Sequence, residues 1–440
     1  MLYKLLKFLV GIGLKLYYKE IKVNGKHFLN TDKPLIIIAN HPNTLMDAWV
    51  IGMLCNQPIH FMAKATLFNS SFKLKLLRSL NMIPINRAGE GRMKGVNNES
   101  SFIECFKVLE QNKTLVIFPE GTSYQERVLR KLKSGTARIA LEAELKNNSE
   151  LDLNIIALGL NYSQPEKFRS NILINIDAPQ GIKNYISAYE KDKIQTARKL
   201  TQQFRIRLES VLVTSENKEE DQLAQSLYNL LKSKYIRNKV SGAEADHELM
   251  QEIAESLTEI RVTEPWLIQE LKEKLAAINW KLQKLDIKAD FLDRRFKSTM
   301  FMRQVLLAFG FIVIALPAFI FGLIHNLFQY LFTDWLVQKI TKDVEYFAPI
   351  SIFIGLFLYP IVYCFFLYLG LEYFGLTWLS LPLYFIAMPF SGLFAFWFYK
   401  YLKHIGYKWR YMLLMMDDRK TLEVLQKEKL EVKKILFYSH

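Results

Sequence analysis

A histidine and an aspartate near the start of the chain have the spacing of a proton-transfer pair. His41 comes two residues after the apolar run Leu35–Ala39, and Asp47 lies six residues further on. With Pro42 as a first helical residue, the histidine sits at a strand-to-helix corner, where open α/β sheets bind ligands. A carboxylate bonded to one imidazole nitrogen fixes the tautomer and leaves the other nitrogen to accept a proton. No Gly-x-Ser-x-Gly nucleophile accompanies the pair, so it predicts a base that activates a substrate hydroxyl; a helix-capping histidine is the alternative.

Two cationic side chains end further apolar runs and suit an anionic ligand. Arg87 and its neighbour Asn86 follow the run Met82–Ile85, and a glycine-containing loop comes next. A guanidinium binds phosphate through two parallel hydrogen bonds. Lys64 ends the run that begins at Ile59 and is a second candidate for phosphate. An ordinary solvated side chain is the alternative in both cases.

A third stretch places backbone amides and hydroxyls at a strand end. The run Leu115–Phe118 continues into Pro119, Glu120, Gly121 and Thr122. Gly121 permits a tight turn, and amides near it are candidates for stabilising a developing oxyanion. The alternative is an ordinary turn with a surface glutamate.

The elements that must position these residues alternate between strand and helix over residues 34 to 180. Apolar, β-branched runs predict six strands, at Leu35–Ala39, Ile59–Ala63, Met82–Ile85, Leu115–Phe118, Ile155–Leu160 and Ile172–Ile176. Helical spacing predicts helices such as Ser101–Leu109 and Thr136–Leu145 between them. This alternation is typical of an α/β fold with a mixed, largely parallel sheet flanked by helices. The short loop before the last strand predicts that part of the sheet is antiparallel.

Together these motifs resemble those of the glycerolipid acyltransferase family, which includes 1-acylglycerol-3-phosphate and glycerol-3-phosphate acyltransferases. The resemblance covers about residues 30 to 180. It rests on four stretches, which are Asn40-His41…Asp47, Ile83-Pro84-Ile85-Asn86-Arg87, Phe118-Pro119-Glu120-Gly121-Thr122-Ser123 and Lys133-Ser134-Gly135-Thr136-Ala137-Arg138-Ile139-Ala140. It implies a glycerolipid acyltransferase-like fold.

The resemblance also implies roles for the candidate residues. His41 would deprotonate the acceptor hydroxyl, Asp47 would orient His41, and Arg87 would hold the acceptor phosphate. The implied substrate-binding residues are Arg87, Glu120, Gly121, Thr122, Asn86 and Lys64. Acyl transfer of this kind needs no metal and no bound cofactor.

The implied reaction moves a fatty acyl group from acyl-CoA or acyl-acyl-carrier protein to a hydroxyl of a glycerol phosphate lipid precursor. The first expectation is 1-acylglycerol 3-phosphate as the acceptor, in phospholipid biosynthesis. Glycerol 3-phosphate and a lyso-aminolipid are the alternative acceptors. A membrane scaffold with an inactive acyltransferase fold is the non-enzymatic alternative.

One departure from the family pattern bears on the acceptor. Five residues separate His41 from Asp47, where the commonest family pattern has four. The longer spacing resembles a subgroup that has a membrane region after the acyltransferase domain. Two further stretches are similar to that subgroup, namely Leu160-Asn161-Tyr162 and Lys167-Phe168-Arg169-Ser170.

The composition favours a membrane over nucleic acid as the partner. Lys and Arg outnumber Asp and Glu by 58 to 43, a net charge of +15, and 50% of the residues are hydrophobic. A basic balance suits either partner, but the longest apolar runs fall in the last third of the chain and no nucleic-acid-binding module is recognisable. The cysteines, Cys55, Cys105 and Cys364, exclude a disulfide scaffold and indicate a reducing, cytosol-facing compartment.

Five regions are predicted along the chain. They are an interfacial amphipathic helix (1–20), an acyltransferase α/β domain (21–182), a helical region (183–300), a membrane region (301–400) and a charged helical tail (401–440). A helix packed on the domain is the alternative for the first region. In the third region, the apolar stripe from Leu267 to Leu285 favours a helix lying on the first domain, with a coiled-coil partner as the alternative.

The membrane region contains three long apolar segments, at Val305–Leu323, Phe347–Leu371 and Leu376–Phe398. Lysines and arginines flank each of them except at the turn near Glu372, so the positive-inside rule places only that turn outside. We therefore expect two full spans and a re-entrant hairpin over Val305–Leu331, with Pro317 near its bend; three spans are the alternative. This makes the chain an integral membrane protein whose candidate site lies on the cytoplasmic face. Its expected partners are the lipid bilayer, an acyl thioester and a phosphorylated glycerolipid.

Overall fold

The structure, a computed structural model, describes residues 2–86, 98–238, 242–293 and 298–437. The chain divides into two compact units. The first unit comprises residues 1–221, 242–247 and 343–349, and the second comprises residues 222–241, 248–342 and 350–440. We describe each unit by itself.

A mixed, largely parallel sheet forms the centre of the first unit. Its strands are β1 (Glu20–Asn24), β2 (Leu35–Ala39), β3 (Ile59–Lys64), β4 (Met82–Ile85), β5 (Thr114–Ile117), β6 (Asn154–Tyr162), β7 (Asn171–Ile176) and β8 (Gln180–Gly181). The strand order is β1-β7-β6-β2-β5-β3-β4, with the short β8 paired to β6. β6 pairs antiparallel with β7 and β8, and the other pairs are parallel. The predicted fold class is confirmed, including the antiparallel part, whereas β1 and β8 were not predicted.

Helices cover both faces of this sheet. They are α1 (Leu2–Tyr17), α2 (Leu45–Leu54), α3 (Ser71–Ser79), α4 (Asn98–Glu110), α5 (Gly135–Lys146), α6 (Ile186–Lys191) and α7 (Lys193–Val211). Side chains of α4, α5 and α7 form one apolar core with the sheet, and α2 packs on the opposite face, where Gly52 meets Ile59 and Phe61. β2 lies in the middle of the sheet and is buried along its whole length. This burial explains its continuous apolar sequence, which is typical of parallel strands covered on both faces.

The N-terminal helix α1 has features of both predicted alternatives, an interfacial amphipathic helix and a helix packed on the domain. One side packs on α2 and buries Leu14. On this side the Lys7 ammonium donates a hydrogen bond to the Cys55 carbonyl. The other side leaves apolar side chains in solvent, among them Leu5 at 54% and Phe8 at 65% exposure. A packed helix with an exposed apolar stripe can still rest on a membrane surface.

The second unit is helical. Together with the ends of neighbouring segments it contains α8 (Lys218–Asn238), α9 (Ala243–Thr263), α10 (Trp266–Leu285), α11 (Ser298–Ile340), α12 (Phe347–Tyr373), α13 (Leu381–Asp417) and α14 (Arg419–Phe437). The predicted leucine stripe of α10 is buried, and α10 packs on α14, with Lys274 2.8 Å from Glu431. The partner of the stripe is therefore the chain's own last helix.

Three helices of the described residues are long and apolar enough to cross a membrane: Arg303–Ile340, Val344–Tyr373 and Leu381–Asp417. The predicted hairpin is wrong, because α11 continues without a turn through Pro317. A proline removes only one helical hydrogen bond, and neighbouring helices can compensate for that loss in an apolar segment. α13 also continues past residue 400 to Asp417, so the tail helix begins later than expected.

Candidate functional site

His41 and Asp47 meet at the carboxyl edge of the sheet. The imidazole Nδ1 lies 2.9 Å from Asp47 Oδ2. The histidine side chain is 12% exposed, whereas that of Asp47 is completely buried. Because Nδ1 is engaged with the carboxylate, Nε2 is the ring nitrogen left for a substrate. The predicted pair is thus brought together with the geometry that proton transfer requires.

The local fold of α2 holds the Asp47 carboxylate in place. Asp47 lies in the first turn of the helix, where a negative charge is favourable, and its Oδ2 also accepts from the Asn43 amide at 2.7 Å. An acidic side chain that reaches back to an amide before the helix is a variant of the capping box. Its other oxygen, Oδ1, accepts from the Tyr162 hydroxyl at 2.7 Å. Pro42 was predicted to be the first residue of this helix, but the helix begins at Leu45.

His41 is fixed by the two strands beside β2. The preceding residue, Asn40, exchanges two hydrogen bonds with the backbone of Leu160 on β6, at 2.8 and 3.1 Å. The imidazole ring stacks on Phe118, which follows β5, with ring centroids 4.0 Å apart and an interplanar angle of 10°. This stacking and the Asp47 bond leave the ring little freedom to rotate.

The loop after β5 forms hydrogen bonds with the backbone around His41. Glu120 accepts from the His41 amide at 3.3 Å, and the Tyr124 amide donates to the His41 carbonyl at 3.2 Å. Ser123 Oγ accepts from the Thr44 amide at 3.1 Å. Two of the predicted motifs, the turn that carries His41 and the loop after β5, are therefore joined by hydrogen bonds to backbone groups.

Glu120 is buried and its carboxylate is occupied by the protein. Besides the His41 amide it accepts from the Arg130 amide at 3.1 Å. Burial raises the pKa of Glu120, and the two backbone hydrogen bonds and the charges of His41 and Arg130 only partly offset that rise. These contacts give Glu120 a positioning function, in addition to any part it plays in the predicted acceptor pocket.

Gly121 forms the turn that lets the Glu120 side chain point back at β2. Its φ is +79°, in the left-handed region that favours glycine, and a Cβ there would meet the Lys133 side chain at 2.5 Å. The Gly121 amide donates to the Phe118 carbonyl at 3.0 Å. It is therefore engaged in the turn, which argues against its predicted use as an oxyanion donor. Thr122, the next predicted residue, is half-buried in the same loop.

The predicted phosphate-binding residues belong to more distant strands of the same edge. Lys64 ends β3 and Asn86 follows β4, two and three strands from β2. At about 4.8 Å per strand these ends are about 10 and 14 Å from the end of β2. The Asn86 amide is bound to Asn98 Oδ1 at 2.9 Å. Arg87 lies outside the described residues.

A segment far along the sequence also reaches this corner. Residues 343–349, which join α11 to α12, belong to the first unit. The Thr44 hydroxyl donates to the Glu345 carbonyl at 3.0 Å. Thr44 has a φ of +43°, a strained value for a β-branched residue, and its contacts with Glu345 and Ser123 hold it there.

Sequence reasoning missed the side chains that position the pair. Ser123 and Tyr162 were part of recognised stretches, but only the fold reveals that they contact Thr44 and Asp47. Asn43 binds Asp47 through its backbone amide, so its residue type could not reveal this contact. Among the described residues, no group of three His, Cys, Asp or Glu side chains is placed to hold a metal ion.

Comparison with protein families matches the part of the chain that contains this site. Residues 20–160 match the family model described as Acyltransferase. His41, Asp47 and the loop after β5 all lie within the matched residues.

Individual relatives match over the same region. Glycerol-3-phosphate O-acyltransferase 1 of Saccharomyces cerevisiae is 27% identical over 143 residues, which are 32% of this chain and 19% of the yeast protein. The 1-acyl-sn-glycerol-3-phosphate acyltransferase of Bacillus subtilis is 31% identical over 126 residues, 27% of this chain and 56% of that protein. The chain thus spans about a fifth to just over half the length of these relatives.

Among solved structures, the crystal structure of the 1-acyl-sn-glycerophosphate acyltransferase PlsC from Thermotoga maritima covers 46% of this chain and 78% of its own. The two are 18% identical, with a TM-score of 0.33. The assignment therefore rests on the family model, the sequence relatives and the motifs gathered around His41. On these grounds residues 20–160 form an acyltransferase-family domain.

Proposed function

We propose that this acyltransferase moves a fatty acyl group from an acyl thioester to the hydroxyl of a phosphorylated glycerolipid precursor. The observation that carries the proposal is the His41–Asp47 pair, 2.9 Å apart at the carboxyl edge of the sheet. A serine nucleophile elbow is absent from the sequence, so the pair serves an acceptor hydroxyl directly.

In this reaction Nε2 of His41 removes the proton of the acceptor hydroxyl as its oxygen attacks the thioester carbonyl. The new C–O ester bond forms, the C–S bond breaks, and the thiol leaves with a proton. Asp47 stabilises the transient imidazolium and keeps Nδ1 protonated. General base catalysis of this kind contributes about 10²–10⁴-fold to the rate.

The acceptor's phosphate is assigned to the end of β4. That strand end lies about 14 Å from the end of β2, along the same edge. A cationic group there would bind the part of the acceptor remote from its attacking hydroxyl, and Arg87 follows β4 in sequence. Lys64, which ends β3 beside β4, is proposed as a second contact for a phosphate of either substrate.

The preferred acceptor is 1-acylglycerol 3-phosphate, and glycerol 3-phosphate is the second candidate. The Bacillus subtilis relative is named for the first substrate and the yeast relative for the second. A lyso-aminolipid lacks the phosphate for which Arg87 is proposed. The donor is acyl-CoA or acyl-acyl-carrier protein, and the context is phospholipid biosynthesis.

We further propose an integral membrane protein with its site on the cytoplasmic face. The three apolar helices support membrane association, and the two full spans of this proposal are α12 and α13, because Thr44 before α11 contacts Glu345 after it. The segment that touches Thr44 follows Lys339 and Lys342, and such basic flanks are retained on the cytoplasmic side.

An acyl-transfer assay with both acceptors in parallel tests the proposal. Membranes containing the full chain receive acyl-CoA or acyl-acyl-carrier protein, together with glycerol 3-phosphate or 1-acylglycerol 3-phosphate, and ester formation is followed with each combination. We expect transfer to 1-acylglycerol 3-phosphate. Transfer to glycerol 3-phosphate alone would select the second candidate, and transfer to neither acceptor with either donor would refute the proposal.

Arg87→Ala tests the phosphate assignment. The substitution is expected to raise the acceptor KM about tenfold or more with little change in kcat, because it removes a charged hydrogen-bonding group remote from the reacting atoms. Arg78→Ala is the matched control, since Arg78 ends α3 at the amino edge of the same strand. An unchanged acceptor KM in Arg87→Ala would remove the phosphate role.

A further inference from the structure

The two subgroup-like stretches, Leu160-Asn161-Tyr162 and Lys167-Phe168-Arg169-Ser170, have no part in the reaction outlined above. The first of them ends β6 with Tyr162. The tyrosine side chain is buried, and its hydroxyl donates to Asp47 Oδ1 at 2.7 Å. Asp47 itself is completely buried, so this hydroxyl is one of three groups that satisfy its charge, with the Asn43 amide and the His41 ring.

A second buried tyrosine lies beside Tyr162. Tyr18, directly after α1, has its ring centroid 5.8 Å from that of Tyr162, and its oxygen accepts from Asn43 Nδ2 at 3.4 Å. Tyr18 therefore packs against Tyr162 and also binds the side chain of Asn43, whose backbone amide donates to Asp47.

Both hydroxyls keep their protons throughout the neutral pH range. Burial raises the pKa of Tyr162 well above its ordinary value, and the negative charge of Asp47 raises it further. Burial likewise raises the pKa of Tyr18. The Tyr162 hydroxyl therefore stays a donor to Asp47 throughout this range.

The second subgroup-like stretch holds Tyr18 in position. Arg169 donates from Nη1 to the Tyr18 carbonyl at 3.2 Å, and its amide donates to the Tyr17 carbonyl. Phe168 packs edge-on against Tyr17, with ring centroids 5.7 Å apart. The Lys19 amide donates to the Ser170 carbonyl at 2.8 Å. These contacts join the end of α1 to the same corner of the sheet.

We propose that Tyr162, with Tyr18 packed against it, is a positioning residue that holds the Asp47 carboxylate against His41. The proposal rests on the proposed function, in which His41 acts as a base and Asp47 orients it. Without the Tyr162 hydroxyl, Oδ1 of Asp47 loses a donor that lies 2.7 Å away, and a buried carboxylate oxygen that has lost its donor is costly. The carboxylate then turns toward other donors and no longer fixes the imidazole ring of His41.

Tyr162→Phe tests this proposal, with Tyr17→Phe as a matched control. Tyr17 is the neighbour of Tyr18, and its hydroxyl donates to the Glu166 carbonyl at 2.9 Å, away from Asp47. For Tyr162→Phe we expect kcat to fall about tenfold with both KM values little changed. Tyr18→Phe should show a smaller effect in the same direction, and Tyr17→Phe should match the parent protein.

A second readout separates this proposal from the acyltransferase assay. The rate at which diethyl pyrocarbonate modifies His41 at a single pH, followed by peptide mass spectrometry of the full chain, reports how the imidazole is held without any substrate. A rate that changes severalfold in Tyr162→Phe but not in Tyr17→Phe supports the proposal, even if the acceptor has been wrongly chosen. An unchanged rate in a folded Tyr162→Phe protein would overturn it, whatever the activity.

Discussion

At the scale of single residues, the site is built from groups that satisfy one another. Asp47 and Glu120 are buried carboxylates, and each binds backbone amides of the turn that carries His41. A buried charge is costly unless such partners surround it, so each carboxylate constrains the backbone that supplies them. The residue types His41, Asp47 and Glu120 were predictable from the sequence. The amides and hydroxyls that position them were not, because they depend on strands that are distant in sequence.

Glu120→Gln should weaken the hydrogen bonds that Glu120 accepts from the backbone amides of His41 and Arg130. A glutamine has one acceptor oxygen where the carboxylate has two, so its amide group would face a backbone N–H. We expect the transfer rate to fall about tenfold or more, measured as kcat, with an acceptor KM that changes less. An equal loss in Glu150→Gln, the same change at an exposed position, would contradict this explanation.

The same substitution should alter the pH dependence of stability. Because burial raises the pKa of Glu120, the folded protein binds this proton more tightly than the unfolded chain does. The unfolding free energy therefore falls as the pH rises from about 4.3 through the raised pKa, and Glu120→Gln removes that contribution. Melting temperatures of both proteins between pH 4 and 7 should show the parent losing stability relative to the variant. Parallel curves would mean that the folded protein and the unfolded chain bind this proton equally well, contrary to a raised pKa.

At the scale of elements, the strands were the most predictable part of the fold. The ranges of β2 and β4 agree with the predicted runs at both ends. β2 is buried along its whole length, which makes its apolar pattern continuous and easy to recognise. β1 was missed because its five residues are only partly buried and carry no such pattern. The hairpin was wrongly predicted because the basic flanks of the apolar segments were given more weight than the continuous apolar sequence on either side of Pro317.

The packing of α11 on α13 gives a prediction of its own. A Cβ at Gly322 would lie 2.3 Å from the Ser391 carbonyl oxygen, which is backbone and cannot move aside. Nearby, Asn326 donates to the Met388 carbonyl at 3.0 Å and accepts from the Tyr363 hydroxyl, which ties α11 to α13 and α12. Small residues and such polar contacts are the usual means of helix association in membranes.

Gly322→Ala should therefore separate the helices and destabilise the second unit by about 1–3 kcal/mol. Gly310→Ala is the control on the same helix, because a Cβ there meets nothing within 4 Å. It should leave stability unchanged or raise it slightly, since alanine favours helices over glycine. Thermal unfolding of both purified proteins in one detergent makes the comparison. A melting temperature in Gly322→Ala that equals that of Gly310→Ala would contradict the close approach.

At the scale of the whole molecule, the charge and the hydrophobicity of the chain acquire separate meanings. The apolar residues after Arg303 form three long helices suited to a bilayer. Under the proposed function, the basic flanks of those helices and a site for anionic substrates account for the net charge of +15. The orientation in the membrane remains a proposal, because the positive-inside rule acts on insertion and leaves no mark in the fold.

Cysteine labelling tests that orientation in intact cells. Cys55 and Cys105 are buried, so only Cys364 needs to be replaced, by serine, before a new cysteine is added. Gly375→Cys, in the turn after α12, should react with an impermeant reagent from outside. Asp343→Cys, in the segment next to Glu345, should react only after the membrane is opened. The reverse pattern would place the site on the outer face.

Acyl transfer by the His41–Asp47 pair is tested most directly by removing the imidazole. Transfer to 1-acylglycerol 3-phosphate is compared between membranes that hold equal amounts of the parent protein and of His41→Ala, with membrane association checked by sedimentation. We predict that His41→Ala remains in the membrane and loses transfer to the background rate, a fall of about 10²-fold or more. Retention of more than about a few per cent of the parent activity, well above what loss of a general base allows, would contradict the assignment of His41 as the base.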